Sequence, residues 1–313
     1  MQRPNTFLMA SVAVALFACS AGTIDGEKKN GSSAFGESTD GLHDGTGKDG
    51  KTVVGPDIPN VDRSEACEPN ALEPALLRRL SHKEYQRTVA DLFPGVELPA
   101  QAFAADLRVL NFENNAQALN ASPVLVEQYS ASAAAIAEAA AAQAETFLPC
   151  KPSGDDAECA RQTLETLGKH VFRRPLTSDE LSRYTQLFET QMREISWNGA
   201  LELTLTAMLQ APQFLYRVER GAGDADGGQV PLDDYELASR LSYLLWQSMP
   251  DDELLAAAEA GELRTPAQVE AQARRMLEDP RAEAALADFN RQWLDFDRLL
   301  TQNKDNIIYP VWT

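Results

Sequence analysis

The sequence predicts an all-α, multi-helix protein behind a disordered N-terminal tether. Three observations point there. From about residue 70 apolar side chains recur at helical spacing. Capping residues stand ahead of several of these runs. No sustained alternation and no Asn-Gly turn between strand-like runs occurs anywhere in the 313 residues.

The elements follow in order. Met1 to Asn5 carries one positive charge, Arg3, and Phe7 to Phe17 is almost wholly apolar. That run has the length of a signal-peptide core and is too short to span a bilayer as a helix. Leu16-Phe17-Ala18-Cys19 resembles a bacterial lipobox, in which the cysteine is acylated and becomes the new N-terminus. The expectation is a leader over 1–18, lipidation at Cys19, and an exported chain anchored to a bacterial membrane, facing the periplasm or the exterior. Residues 20–66 hold half of the 18 glycines and few apolar side chains. Such a segment buries too little surface to offset its ordering entropy and reads as a solvated tether, with Asp40–Asp49 lacking the ligand alternation of a calcium loop.

Ser81-His82-Lys83-Glu84 is a capping box that opens a helix through Phe93. Pro123 sits in the first turn of a long alanine-rich helix with Val124, Val126, Tyr129, Ile136 and Phe147 as apolar members. Leu164, Leu167 and Val171 mark the next helix, and Thr177-Ser178-Asp179-Glu180 starts another through Leu181, Tyr184, Leu187 and Phe188. Leu201, Leu205, Met208 and Leu209 continue the pattern, and Pro212 implies a kink or restart. Leu237, Leu241, Leu244 and Leu245 form an apolar face. Pro250-Asp251-Asp252-Glu253 places acids where a helix dipole favours them. Leu286, Phe289, Trp293 and Phe296 line a last helix.

The charge balance excludes whole classes of function. With 47 acidic and 28 basic side chains the net charge is −19, and loss of the leader removes only Arg3. A nucleic-acid binder needs a basic face, and a polybasic patch is what draws a chain to an anionic leaflet. Neither is present, so the expected partners are a membrane reached through the lipid and a protein or polysaccharide. No nucleotide-binding, nucleophile-elbow or His-Glu-x-x-His motif occurs.

Several segments together carry a family resemblance. Leu77-Arg78-Arg79-Leu80-Ser81, Glu84-Tyr85, Thr88-Val89 and Asp91-Leu92 open it, followed by Phe112, Asn114-Asn115-Ala116, Ser122-Pro123 and Glu127-Gln128-Tyr129. Phe172-Arg173-Arg174-Pro175-Leu176-Thr177 and the run from Leu209 to Glu219 form a second block. The stretch from Leu232 to Tyr243, then Trp246, Ser248 to Leu254, Phe289 and Gln292-Trp293-Leu294 form a third. These blocks resemble, in order, the helical modules of a planctomycete-type family of unknown function, the domain of unknown function fifteen ninety-two proteins. The resemblance divides the chain into modules at 67–149, 150–228 and 229–313. Longer relatives end in a module with a c-type haem motif, Cys-x-x-Cys-His. The cysteines here are Cys19, Cys67, Cys150 and Cys159, and no such motif exists. The expectation is therefore no cofactor in this chain, with haem c confined to C-terminal modules it lacks. The third module reads as truncated, which predicts uncovered apolar surface around Phe289, Trp293 and Phe296.

The candidate sites are few. Cys150 and Cys159 flank a short polar loop and are expected to form a disulfide in an oxidising compartment. Asn111, Glu113, Asn114 and Asn115 could bind sugar hydroxyls or lend oxygens to a cation, against a reading in which the amides satisfy their own loop. Arg173 and Arg174 could grip an anion, against a role in pairing acids between helices. Asp233, Asp234 and Glu236 read as helix-start chemistry. His43, His82 and His170 are scattered, and no metal site is expected. Whether the chain is an enzyme stays open. Three readings follow: a helical scaffold or binding module on a flexible stalk, the front part of a c-type-haem redox protein, and a protein that binds or hydrolyses extracellular polysaccharide.

Overall fold

The computed structural model describes residues 76–152, 156–222 and 230–302, all within the unit Pro74–Thr313. The leader, Cys19, the tether and Cys67 lie outside the described residues. Among the described residues the structure is helical, with a single pair of two-residue strands. In order they are β1 (Arg78–Arg79), α1 (His82–Leu92), α2 (Pro123–Ala142), a 3-10 turn (Ala144–Thr146), α3 (Ala157–Phe172), α4 (Ser178–Glu194), α5 (Trp197–Leu209), α6 (Pro212–Leu215), β2 (Tyr216–Arg217), α7 (Asp234–Leu245), α8 (Asp252–Glu259), α9 (Pro266–Leu277), α10 (Pro280–Trp293) and α11 (Asp297–Thr301). No helix among the described residues is long and apolar enough to cross a membrane.

The helix starts are built from local chemistry. Ser81 with Glu84, Thr177 with Glu180, Asp233 with Glu236 and Thr265 with Gln268 form reciprocal capping boxes. Each satisfies backbone N–H groups that the helix leaves orphaned, and losing such a cap costs about 1 kcal/mol. Asp233 and Glu236 thus act as helix-start residues. Pro212 produces a restart: α5 stops at Leu209 and the four-residue α6 begins at Pro212.

The first core is shared. Leu80, Tyr85, Val89, Tyr129, Ile136, Leu164, Phe188, Leu201, Met208 and Phe214 belong to one buried cluster drawn mainly from α1 through α6 and joined by Tyr243 and Met249. Tyr85 stands at its centre, with ring centroids 5.2 Å from Phe103, 5.3 Å from Tyr129 and 5.5 Å from Phe214. Burial of that ring raises the Tyr85 hydroxyl to about 12. The long helix α2 packs on α5, and α5 on α4. On α2 the inward residues are Leu125, Tyr129, Ala133, Ile136 and Ala137, while Val124 and Val126 face out. The small alanine surface lets the two helices lie close. The first two sequence modules therefore have one core between them. Antiparallel pairing of Arg79 with Tyr216 and Arg78 with Arg217 ties their ends together.

A second cluster holds α7 to α10. Its centre is Trp246, fully buried, whose indole N–H donates to the Met276 carbonyl at 2.9 Å. The Arg281 guanidinium lies 3.6 Å above the ring. On α7 the buried residues are Ala238, Leu241, Ser242 and Tyr243, whereas Leu244 is exposed. Tyr243 and Met249 from this part of the chain are buried in the first cluster, and polar contacts along α1 add to that junction. Thr88 and Tyr243 share a hydroxyl hydrogen bond of 2.8 Å, Ser248 donates to Asp91 at 2.6 Å, and Lys83 pairs with Asp288.

Helix α10 is shorter than the sequence expectation, which carried it to Phe296. Leu286, Phe289, Trp293 and Phe296 do not form its packed face, and the helix ends at Trp293. The buried residues are Ala282, Ala285, Asp288 and Gln292. Asp288 takes hydrogen bonds from Lys83, Arg291 and Gln292, so its burial is compensated. Burial pushes its carboxyl up, and these donors, led by Lys83, bring it below its ordinary value. The apolar period is real, but it marks the outward side.

Candidate functional site

Two places in the fold gather features that local structure does not consume. The first is a groove between the end of α3 and the start of α7. Arg173 ends α3 in the left-handed region, at φ 57°. A non-glycine residue pays about 1–2 kcal/mol for that conformation. Its guanidinium offsets the cost by donating to the carbonyls of Gln213, Phe214 and Tyr216 at 2.7, 3.2 and 2.8 Å. Arg173 is buried and lies 5.6 Å from the centre of the Tyr243 ring. The turn it makes throws Arg174 outward. Arg174 forms a two-pronged pair with Glu180 at 2.8 and 2.9 Å and sits 5.8 Å over Phe172. The Arg174 hydrogen bonds hold the Glu180 carboxyl at about 2 against the opposing effect of burial, with the Thr177 backbone N–H helping.

The opposite wall comes from β2 and the approach to α7. Glu236 collects the backbone N–H groups of Arg220, Gly221 and Asp233 at 2.6, 2.9 and 3.1 Å. Gly221 has φ +75°, and a Cβ there would meet Val230 Cγ1 at 2.4 Å, so only glycine fits this turn. Glu219 is shared by Arg217 and Arg240. Burial pushes its carboxyl up, but the two guanidiniums bring it below its ordinary value. Between these walls is a hollow of about 260 Å³, bordered by Phe172, Arg174, Arg217, Arg220 and Tyr235. A second hollow of about 400 Å³ shares Phe172 and Gln213 with it and continues past Tyr184, Leu187 and Pro212. The sequence pointed to Arg173 and Arg174 alone. It missed Arg217 and Arg220 because they lie far along the chain from Arg173 and Arg174 and meet them only in the fold.

The second place is the face outside α10. Val109 and Phe112 bridge across a turn whose central residues, Leu110 and Asn111, have φ 51° and 70°. Phe112 stacks on Phe289 at 5.6 Å, and Phe289 on Trp293 at 5.9 Å. Arg108 ties the same turn to Asp297 at 3.2 Å. Around this junction Leu110 is 84 % exposed, Trp293 60 %, Phe296 48 % and Phe289 38 %, with Leu107, Leu294 and Leu299 also exposed. An apolar group of this size on one face marks an interaction site more often than ordinary surface. The uncovered surface expected around Phe289, Trp293 and Phe296 is present.

The Asn-rich loop belongs to this second place, and the scaffold engages Glu113 and Asn115 while the other two amides stay outside. Glu113 takes Arg108, and its backbone N–H donates to Gln292 at 3.0 Å. Asn115 accepts the Gln117 N–H at 2.9 Å, a turn satisfied by its own side chain. Asn114 gives its carbonyl to Arg78, and its side chain is exposed, as is that of Asn111.

The remaining candidates are structural in position. Cys150 and Cys159 are joined, with Cα atoms 5.7 Å apart, and pin the loop before α3. His170 bridges the Thr166 carbonyl at 2.8 Å and Asp252 at 2.7 Å, linking α3 to α8. His82 lies 3.4 Å from Asp106 beside the Phe103 ring, and its burial lowers its pKa against the pull of Asp106. Asp106 also takes Arg79, which is itself buried and bonded to the Tyr129 hydroxyl. Among the described residues no three His, Cys, Asp or Glu side chains gather as a cation site.

Three family models match the chain in succession, each described as a protein of unknown function. The one numbered DUF1587 matches residues 78–142, DUF1595 matches 159–219, and DUF1592 matches 232–313. No curated protein and no solved structure matches. The groove lies where the second and third matched segments meet, and the apolar face joins the first to the third.

Proposed function

This chain belongs to the planctomycete-type family of unknown function that carries these three domains in this order, and from that premise we propose that it is a cell-envelope lipoprotein whose helical unit is a binding module held off the membrane by a flexible stalk. The lipobox at Cys19 and the glycine-rich residues 20–66 supply the anchor and the stalk. The observation that carries the binding role is the apolar face formed by the Leu107–Phe112 turn with Phe289, Trp293, Phe296 and Leu299. Its aromatic rings are rigid, large and flanked by Arg108 and Asp297, the composition of an interface centre with a charged rim. The occupant in this reading is a protein of the same envelope.

The test uses the native membrane. Intact mass of the purified chain should correspond to an acylated form beginning at Cys19. A photo-crosslinking residue placed at Trp293 should then give one discrete adduct in intact cells, and the same residue at Arg161, exposed on α3, should give none. An unacylated chain overturns the anchor, and equal crosslinking at the two positions overturns the binding face.

A further inference from the structure

We propose that the groove between the C-terminus of α3 and the N-terminus of α7 binds the oxyanion headgroup, carboxylate or phosphate, of a small ligand whose body is flat and apolar. The inference uses residues separate from the apolar face and stands whether or not that face binds a protein.

Charge is the first argument. The chain as a whole is strongly acidic, yet this groove is walled by Arg173, Arg174, Arg217 and Arg220. Arg174 is balanced by Glu180. Arg217 must share Glu219 with Arg240. Arg173 is buried and meets carbonyl oxygens and a tyrosine, with no carboxylate in ion-pair distance among the described residues. Arg220 stands exposed at the rim, and its guanidinium has no acidic partner among the described residues. The two acids in the wall are already committed, Glu236 to three backbone N–H groups and Asp233 to the first turn of α7. A buried guanidinium without a counter-charge is costly, and an incoming oxyanion supplies one.

The second argument is an unanswered donor. The Nε of Arg217 is buried with no acceptor in reach. Burial and the neighbouring Arg78 both disfavour the charge on Arg217. An anion in the groove relieves that repulsion through space, and the planar forks of Arg217 and Arg220 suit carboxylate and phosphate geometry. The third argument is shape. Phe172 and Tyr235 border the charged hollow, and Phe172 is also a wall of the larger hollow lined by Tyr184, Leu187 and Pro212. A ligand with a charged end and a flat apolar end fits both at once.

Calorimetric titration of the full-length protein in detergent tests this with three probes. Benzoate has the charge and the flat ring, benzamide the ring without the charge, and inorganic phosphate the charge without the ring. Benzoate should bind at least about tenfold more tightly than benzamide, as expected when a guanidinium–carboxylate pair is removed. Competition by phosphate would extend the ligand class to phosphate esters, and failure to compete would restrict it to carboxylates. Arg220→Gln, at an exposed position, should weaken benzoate about fivefold while Arg220→Lys retains most of the affinity. Trp293→Asp should leave benzoate binding unchanged, which separates this site from the apolar face. Equal binding of benzoate and benzamide, an Arg220→Gln variant that binds like the parent, or no binding of benzoate and phosphate alike would overturn the proposal.

Discussion

Replacing Glu180 with glutamine probes the groove wall and the start of α4 in one step. The Glu180 side chain is 7 % exposed and accepts three hydrogen bonds: two from Arg174, at 2.8 and 2.9 Å, and one from the Thr177 N–H at 2.8 Å. Glutamine keeps an oxygen for Thr177 but turns an NH₂ group toward Arg174. The carboxyl is held at about 2 in the folded chain, against about 4.3 for an unfolded glutamate. That gap corresponds to about 3 kcal/mol by linkage. Arg174 is a third exposed, so solvent screening reduces the expected loss to about 2 kcal/mol. A carboxyl lowered on folding contributes fully above its unfolded value and loses that contribution as pH falls toward its folded value. The difference between parent and Glu180→Gln should therefore be full at neutral pH, shrink below about pH 4.3, and approach zero near about pH 2. Urea unfolding followed by circular dichroism across that range measures it. A difference that persists unchanged at about pH 3 would refute the electrostatic account and assign the loss to shape.

Two further perturbations follow from the same structure. Replacing Cys150 and Cys159 by serine opens a loop with a separation of 9 residues and should lower stability by about 2–3 kcal/mol, seen as a drop in melting temperature that reductant reproduces in the parent. Gly168→Ala on α3 should destabilise by about 1–2 kcal/mol in chemical unfolding, because the added methyl would meet Leu176 Cγ at 2.7 Å and outweigh the helix propensity gained.

How much of this was legible in the sequence depends on the range of the interaction that decides each feature. Helix starts are decided within four residues, so Ser81 with Glu84 and Thr177 with Glu180 announce themselves. The order of the three family blocks was likewise readable from the residues that carry them. Which face of a helix is buried is decided by its neighbours. On α10 the apolar period Phe289, Trp293 was visible, yet the packed side is Asp288 and Gln292, because Lys83 from a distant helix and Arg291 satisfy the acid. The same limit hid the groove. Arg173 and Arg174 stand out as a pair, but Arg217, Arg220 and Tyr235 join them only when β2 folds back beside α7. The two-residue strands escaped notice because so short a pairing leaves no alternation to read.

The common core of α1 through α6 sets a timetable for the chain. Tyr85 and Val89 near its beginning close against Met208 and Phe214 more than a hundred residues later. A polypeptide delivered from its N-terminus cannot complete that core until Met249 has emerged, and until α5 and α6 arrive, α1 and α2 present their apolar sides to whatever surrounds them. The cluster around Trp246 draws on α7 to α10, a compact later stretch whose contacts are closer in sequence. A break in synthesis just after α2 leaves a helix pair with no partner, and even a break after β2 leaves the first core open where Tyr243 and Met249 would close it.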